Sequence, residues 1–266
     1  MDDSLPKPAR YALTVEYDGS QFNGWQIQIG VPTVQEALEA ALSGVANHRV
    51  RVTGAGRTDT GVHATGQVAH FESSSPRSLR SWLRGANTLL PEGVSILSVS
   101  PVGSNFHARF SATGRTYRYV ILNRPVAPTF LRSRVTWEYR SLDVFRMRAA
   151  AAFLVGQHDF NAYRAVGCQS ESSIRELRRL RVSASGQWIW VDAEAESFLQ
   201  HMVRNIVGVL LAVGVGEKEP TWAGDVLNSR DRASGGVTAP PDGLYFVRAS
   251  YSPPYEFPRV PECRFW

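Results

Sequence analysis

Between Gly54 and Ala64 the chain reads Gly-Ala-Gly-Arg-Thr-Asp-Thr-Gly-Val-His-Ala, which sets the carboxylate of Asp59, the guanidinium of Arg57 and the imidazole of His63 among three glycines. Glycine at that density opposes helix and strand alike, so the stretch reads as a shaped loop that brings backbone and Asp59 close to a ligand. The residues before it, and Gln67-Val68-Ala69-His70-Phe71 after it, read as strands that hold it from both sides. A phosphate cradle of the Walker kind needs Gly-Lys-Ser/Thr after four spacers, and there is no lysine here. The dinucleotide fingerprint fails too, because Asp59 stands where the third glycine belongs. A lone acid acting as nucleophile or base beside an arginine fits best; the plain alternative is an Asp that closes a turn.

The rest of the chain offers little competing chemistry. Cys168 and Cys263 are the only cysteines, too few for a disulfide framework or a four-cysteine zinc site. The six histidines are scattered, with no pair at helical ligand spacing beside a carboxylate, so neither metal nor cofactor is expected. Lysine and arginine number 29 against 24 acids, a net charge of +5, which suits a polyanion partner as well as it suits an ordinary basic protein. Arginine dominates the basic set, and its planar fork favours phosphate. The N-terminus lacks a signal pattern, and the apolar run from Val207 to Val215 is too short to cross a bilayer. A reduced, cytoplasmic protein without a membrane segment is expected.

Distribution says more than total charge. From 106 to 124, His107, Arg109, Arg115, Arg118 and Arg124 alternate with Phe106, Phe110, Tyr117 and Tyr119. Basic groups interleaved with aromatics suit a surface that meets phosphates and stacks on bases. The competing reading, preferred for Tyr119, is a strand with an aromatic core face and an arginine solvent face. Arg204 is the other oddity: it interrupts an apolar stripe, an expensive place for a cation without an acidic partner.

These groups need a scaffold. Tyr11, Leu13, Val15 and Tyr17 alternate with Ala12, Thr14 and Glu16, the pattern of a half-buried strand. Thr33 to Glu36 form a capping box, opening a helix that buries Val34, Ala37, Leu38, Ala41, Leu42 and Val45. Ser73 to Pro76 read as a turn and helix start, followed by Leu79, Trp82, Leu83, Ala86 and Leu90 at helical spacing and a strand near 94–102. A helix over 142–155 is expected to bury Phe145, Ala149, Ala152 and Phe153, with a polar loop from 157 to Ser173 carrying RNA contacts. Residues 174–183 and 188–195 read as a hairpin, and Ser197 as the cap of a helix through Leu211. The boundaries inferred are 8–105 for an N-terminal α/β subdomain with the Asp59 loop, 106–251 for a C-terminal one with Tyr117 and Arg204, and 252–266 for a Pro-rich tail.

Gly56-Arg57-Thr58-Asp59-Thr60-Gly61-Val62-His63 resembles the signature of the TruA family of tRNA pseudouridine synthases. Tyr17-Asp18-Gly19 with Gly24-Trp25-Gln26 is similar to that family's N-terminal motif. Phe106 to Ala112 and Arg115 to Tyr119 resemble its middle motifs, and His201 to Gly208 and Gly243-Leu244-Tyr245 its C-terminal ones. The resemblance runs through six motifs in the family's order and covers nearly the whole chain. Gly54 and Thr60 stand where the family is expected to carry other small residues.

The resemblance implies an α/β fold of α+β type: two α/β subdomains with mixed, largely antiparallel sheets joined across a central basic cleft, usually in a homodimer. It implies an isomerase acting on tRNA, at positions 38, 39 and 40 of the anticodon stem-loop, without cofactor. Asp59 is then the catalytic carboxylate, Arg204 its counter-charge, and Tyr117 a group at the target base. Arg57, Leu244, Arg109 and Arg164 are the further substrate contacts expected. Three routes are open to the acid: attack on the base, attack on the ribose, or removal of a sugar proton to give a glycal. Two rivals stand beside this reading. A non-catalytic tRNA-binding or chaperone module on the same fold would tolerate loss of Asp59, and a base-excising glycosidase would release free uracil and want a second acid.

Overall fold

The computed structural model describes residues 8–258; the first seven residues, on which the absence of a signal pattern is read, and Pro261 and Cys263 lie outside the described residues. The chain forms two compact units. The first runs to Thr113 and takes the chain back at Phe246; the second runs from Gly114 to Tyr245.

The first unit is built on β1 (Ala9–Tyr17), which pairs antiparallel with two later strands. Its alternation predicts one wet face, yet Ala12 and Thr14 are 0 % and 2 % exposed, as buried as Leu13 and Val15. The reason is a second cover: Ala12 pairs with His70, whose ring meets Phe106, so the Phe106 turn lies over the face expected to be solvated. Helix α1 (Val34–Ala46) buries Val34, Leu38, Ala41 and Leu42 in the expected phase.

The capping box does not form. Thr33 Oγ1 is buried with no partner among the described residues, and the helix amides of Val34 and Gln35 go instead to the carbonyls of Gly24 and Trp25, at 3.2 and 3.0 Å. Loop backbone does the work of the cap. Strand β2 (Val52–Gly54) is short and pairs with β3 (His63–Ser73), which also flanks β1. Helix α2 (Leu79–Leu89) starts later than the Ser73 turn, capped by Ser78 accepting from Ser81 N at 3.1 Å. It buries Trp82 and Ala86, while Leu79 faces out. Strand β4 (Val94–Val102) completes the antiparallel order β4-β1-β3, with β2 on β3.

In the second unit the order is β5-β9-β8-β7, from β5 (Ala112–Asn123), which starts at the boundary, with β6 (Thr136–Glu138) parallel to β5. Helix α3 (Val144–Ala152) is capped by the Asp143 carboxylate, which accepts from Phe145 N and Arg146 N at 2.8 and 3.1 Å. Its buried stripe is Met147, Ala150, Ala151 and Leu154, not the predicted Phe145, Ala149, Ala152 and Phe153. Alanine at four successive positions offers two stripes of equal spacing. Met147 decides between them, because it packs where Gly214 lets a second helix come close.

The expected polar loop is partly ordered structure: β7 (Gly156–Asp159) pairs with β8 (Ile174–Ser185), and Phe160 and Tyr163 are 0 % exposed. Strand β9 (Trp188–Ala195) closes the predicted hairpin. Helix α4 (Met202–Gly214) begins after His201, whose φ of 61° marks the turn into it, rather than at Ser197. Helix α5 (Trp222–Ser229) follows, and β10 (Leu244–Tyr251) carries the chain back to the first unit beside β3. The sheets are thus mixed and largely antiparallel. Tyr251, Tyr255 and Phe257 then close around Phe106, with ring centroids 4.8 to 5.5 Å away.

Candidate active site

The Asp59 loop spans the gap between β2 and β3, and His63 and Ala64, read as loop, already belong to β3. From Gly54 to His63 the two exposed residues are Arg57 and Thr60; Asp59 is half-buried. The glycines serve the protein's own packing more than a ligand. A methyl on Gly54 would lie 2.6 Å from the Trp25 ring, and one on Gly24, at φ +85°, would lie 2.6 Å from the Thr58 carbonyl. Trp25 N donates to that carbonyl at 3.0 Å, and Gly61 N reaches Phe22 O at 3.4 Å. Asp59 O accepts from Val62 N at 3.1 Å, closing the turn that follows the acid.

His63 is a support, 2 % exposed. Its Nδ1 accepts from Gly19 N at 3.0 Å and lies 3.3 Å from Asp18 Oδ1. One ring nitrogen serves the amide when bare or the carboxylate when protonated, never both at once. With the hydrogen on Nδ1, the bond that His63 gives to Asp18 holds that carboxyl well below the usual carboxylate range. The Tyr17-Asp18-Gly19 and Gly24-Trp25 motifs therefore form the underside of the Asp59 loop.

Arg109 and Phe110 project from a tight turn built on His107. Its Nδ1 accepts from Arg109 N and Phe110 N at 3.2 and 3.1 Å, and its ring stacks on Phe110 at 4.4 Å. Phe110 is 77 % exposed, with the Arg109 guanidinium 5.5 Å from its centroid. Beneath them His70, read from sequence only as a strand residue, accepts from Ala108 N on Nδ1 at 3.2 Å. Burial, then the nearby His107 and Arg10, push its pKa down to about 4.

A depressed histidine pKa gives a definite sign. The unfolded chain takes up a proton near pH 6.5 and the folded chain only near 4, so stability is full above that window and is lost as pH falls through it. Urea unfolding between pH 7.5 and pH 4 should show this decline. His70→Asn, which keeps an acceptor near the Nδ1 position, should flatten it; an unchanged pH dependence would exclude His70 as its source.

The second unit holds the other predicted residues. Tyr117 on β5 is 8 % exposed, edge-on to Phe198 at 5.1 Å. Tyr119, one turn of the pleat away, is fully buried: its hydroxyl donates to Pro240 O at 2.8 Å and meets Thr136 Oγ1, so it belongs to the core. Arg204 sits in the first turn of α4, where the helix dipole is already positive. Its Nε donates to Ala239 O at 2.8 Å, and Ala239 N returns a bond to Arg204 O at 3.1 Å. Leu244 is 5 % exposed, its N–H on Pro241 O at 2.8 Å, and Gly243 O accepts from Val120 N on β5 at 2.8 Å. The strap from Ala239 to Leu244 thus ties Arg204, Leu244 and the strand bearing Tyr117 into one assembly. Arg164 stands apart from that strap, half-buried, with Nη1 3.4 Å from Ser170 O.

Sequence reading missed Gln67, His70 and Asn205 as site supports. All three are polar residues at buried positions, and such groups are kept because something needs their hydrogen bonds. Asn205, beside Arg204, donates to Tyr163 O at 2.8 Å and accepts from Thr238 Oγ1 at 2.7 Å.

The family model described as tRNA pseudouridine synthase matches residues 13–111 and 150–252. Three proteins named tRNA pseudouridine synthase A are similar along almost the full length. That of Alcanivorax borkumensis is 55 % identical over 258 residues, covering 97 % of each chain. That of Nitrosococcus oceani is 54 % identical, covering 94 % of this chain and 97 % of its own. That of Coxiella burnetii is 49 % identical, covering 95 % and 97 %. Among solved structures, a chain of a Cbf5-Nop10-Gar1 complex aligns over 89 % of this chain and 48 % of its own at 12 % identity, with a TM-score of 0.36, too distant to add to the fold described above. With the six motifs in place and half of its residues shared with these relatives, the chain belongs to the TruA family of tRNA pseudouridine synthases.

Proposed function

We propose that this protein isomerises uridine to pseudouridine at positions 38, 39 and 40 of the tRNA anticodon stem-loop, with Asp59 as the catalytic carboxylate. The observation that carries the reading is a half-buried acid on a backbone-clamped turn, two residues from the exposed Arg57, in a chain of this family.

The reaction breaks the N1–C1′ bond of uridine, turns the uracil and rejoins it through C5. A proton leaves C5 and one is gained at N1, so composition and oxidation state are unchanged. The chemistry therefore calls for an ionised acid and a held base, with no electron or phosphoryl donor. A carboxylate taken out of water tends to keep its proton, and a nearby guanidinium opposes that. Arg204 is the proposed counter-charge; its support is the family match and its place in a helix turn that already favours an anion.

The base must leave its stack first, at a cost of about a few kcal/mol. Arg57 extends from the clamped loop to fill the vacated space or to hold the displaced phosphate. Tyr117 presents a ring to the uracil and a hydroxyl toward C5, with Leu244 packed under the base. Arg109, beside the exposed Phe110 ring, and Arg164 serve the RNA backbone. The working form proposed is a cytoplasmic homodimer.

Incubating the purified protein with unmodified tRNA transcripts and mapping pseudouridine tests the reading. Product at 38, 39 and 40 supports it. Product confined to other positions, bound tRNA without product, or free uracil overturns it.

A further inference from the structure

Two buried side chains grip the Asp59 loop on either side of Arg57, and neither belongs to the loop. Gln67, 0 % exposed on β3, donates from Nε2 to Gly56 O at 2.8 Å and accepts from Gly56 N on Oε1 at 3.3 Å. Tyr17, 4 % exposed at the end of β1, shares a hydrogen bond of 2.9 Å with Thr58 Oγ1. Burial pushes its phenol up to about 12, so it stays protonated, and Gln67 contacts the same oxygen. The carbonyl of Thr58 is held separately by Trp25 N. Gly56 and Thr58 are thus pinned through side chains, and Arg57 between them is free to project only at its side chain, which is exposed.

We infer that Tyr17 and Gln67 are positioning residues for the reaction: through Thr58 and Gly56 they fix the peptide that carries Arg57 and set where Asp59 meets the base. The inference rests on Asp59 being the catalytic carboxylate. Its physical ground is the steep dependence of rate on the placement of a reacting group, where an error of about 1 Å costs about a hundredfold. A merely architectural hydrogen bond would leave a different trace, because its loss lowers stability and active fraction without altering the turnover of molecules that remain folded.

Tyr17→Phe and Thr58→Val each delete one hydroxyl and keep the shape, whereas Thr58→Ser keeps the hydroxyl. Turnover should be measured on the intact protein with tRNA, beside tRNA affinity, melting temperature and Asp59→Asn. We expect Tyr17→Phe and Thr58→Val to lower kcat by about tenfold to a hundredfold. Affinity for tRNA and melting temperature should stay near wild type, with Thr58→Ser close to normal. Wild-type kcat in both hydroxyl-deleted variants, or a loss that merely follows melting temperature, would overturn the inference. An inactive Asp59→Asn beside fully active Tyr17→Phe and Thr58→Val sinks the positioning role alone. An active Asp59→Asn sinks the assignment of Asp59, and the basis of this inference with it.

Discussion

Asp59→Ala should lower tritium release from C5-labelled uridine in tRNA by about a thousandfold or more, the scale on which loss of a covalent or acid–base group acts. Binding of tRNA should remain near wild type. The expectation follows from how the loop is held: Trp25, Tyr17, Phe22 and Gln67 grip it through residues other than the acid's own side chain. Removing the carboxylate therefore takes away chemistry while leaving the surface that meets RNA. Asp59→Asn, which keeps shape and loses charge, should be as inactive. Turnover within tenfold of wild type in either variant would remove Asp59 from its role, and an equal loss of tRNA affinity would turn the residue into a binding group.

Arg204→Met should be nearly as damaging, by about a hundredfold or more, the cost typical of removing one fixed charge or donor from a reacting centre. Methionine keeps the apolar stem of the arginine on a helix that is apolar apart from Arg204 and the hydrogen-bonded Asn205, so the helix should hold. The diagnostic is tRNA affinity measured beside turnover: a loss confined to turnover fits the counter-charge, and an equal loss of affinity makes Arg204 a phosphate-binding group. A variant within a few-fold of wild type would refute the counter-charge.

Local periodicity made several elements legible. The β8–β9 hairpin and the stripe of α1 lie where alternation and 3.6-residue spacing place them, because each has one clear apolar register. It misled where two registers compete or where a later part of the chain intervenes. Alanine fills both stripes of α3, so only Met147 against Gly214 selects one. Ala12 and Thr14 look solvated until Phe106 and the aromatic tail arrive from far along the chain. The cap of α1 fails through an earlier segment: the carbonyls of Gly24 and Trp25 take the amides of Val34 and Gln35, and Thr33 Oγ1 is left buried without a partner among the described residues.

The candidate site divides along similar lines. Asp59, Arg57 and His63 stand out by type and spacing, and ordered motifs bring in Tyr117, Arg204 and Leu244. Gln67 and His70 do not stand out, since a polar residue on a strand reads as its wet face. Only burial on both faces of β3 shows that each must be occupied with a specific bond.

One stretch, Gly24-Trp25, both takes the first amides of α1 and holds the carbonyl of Thr58. Slack in one cannot appear without fraying the other, so the backbone that carries Asp59 is held in a single pose. Under the role proposed for Asp59, the adjustment needed to join the two molecules falls on the nucleic acid, and preference among uridines follows how readily each stretch of RNA gives way.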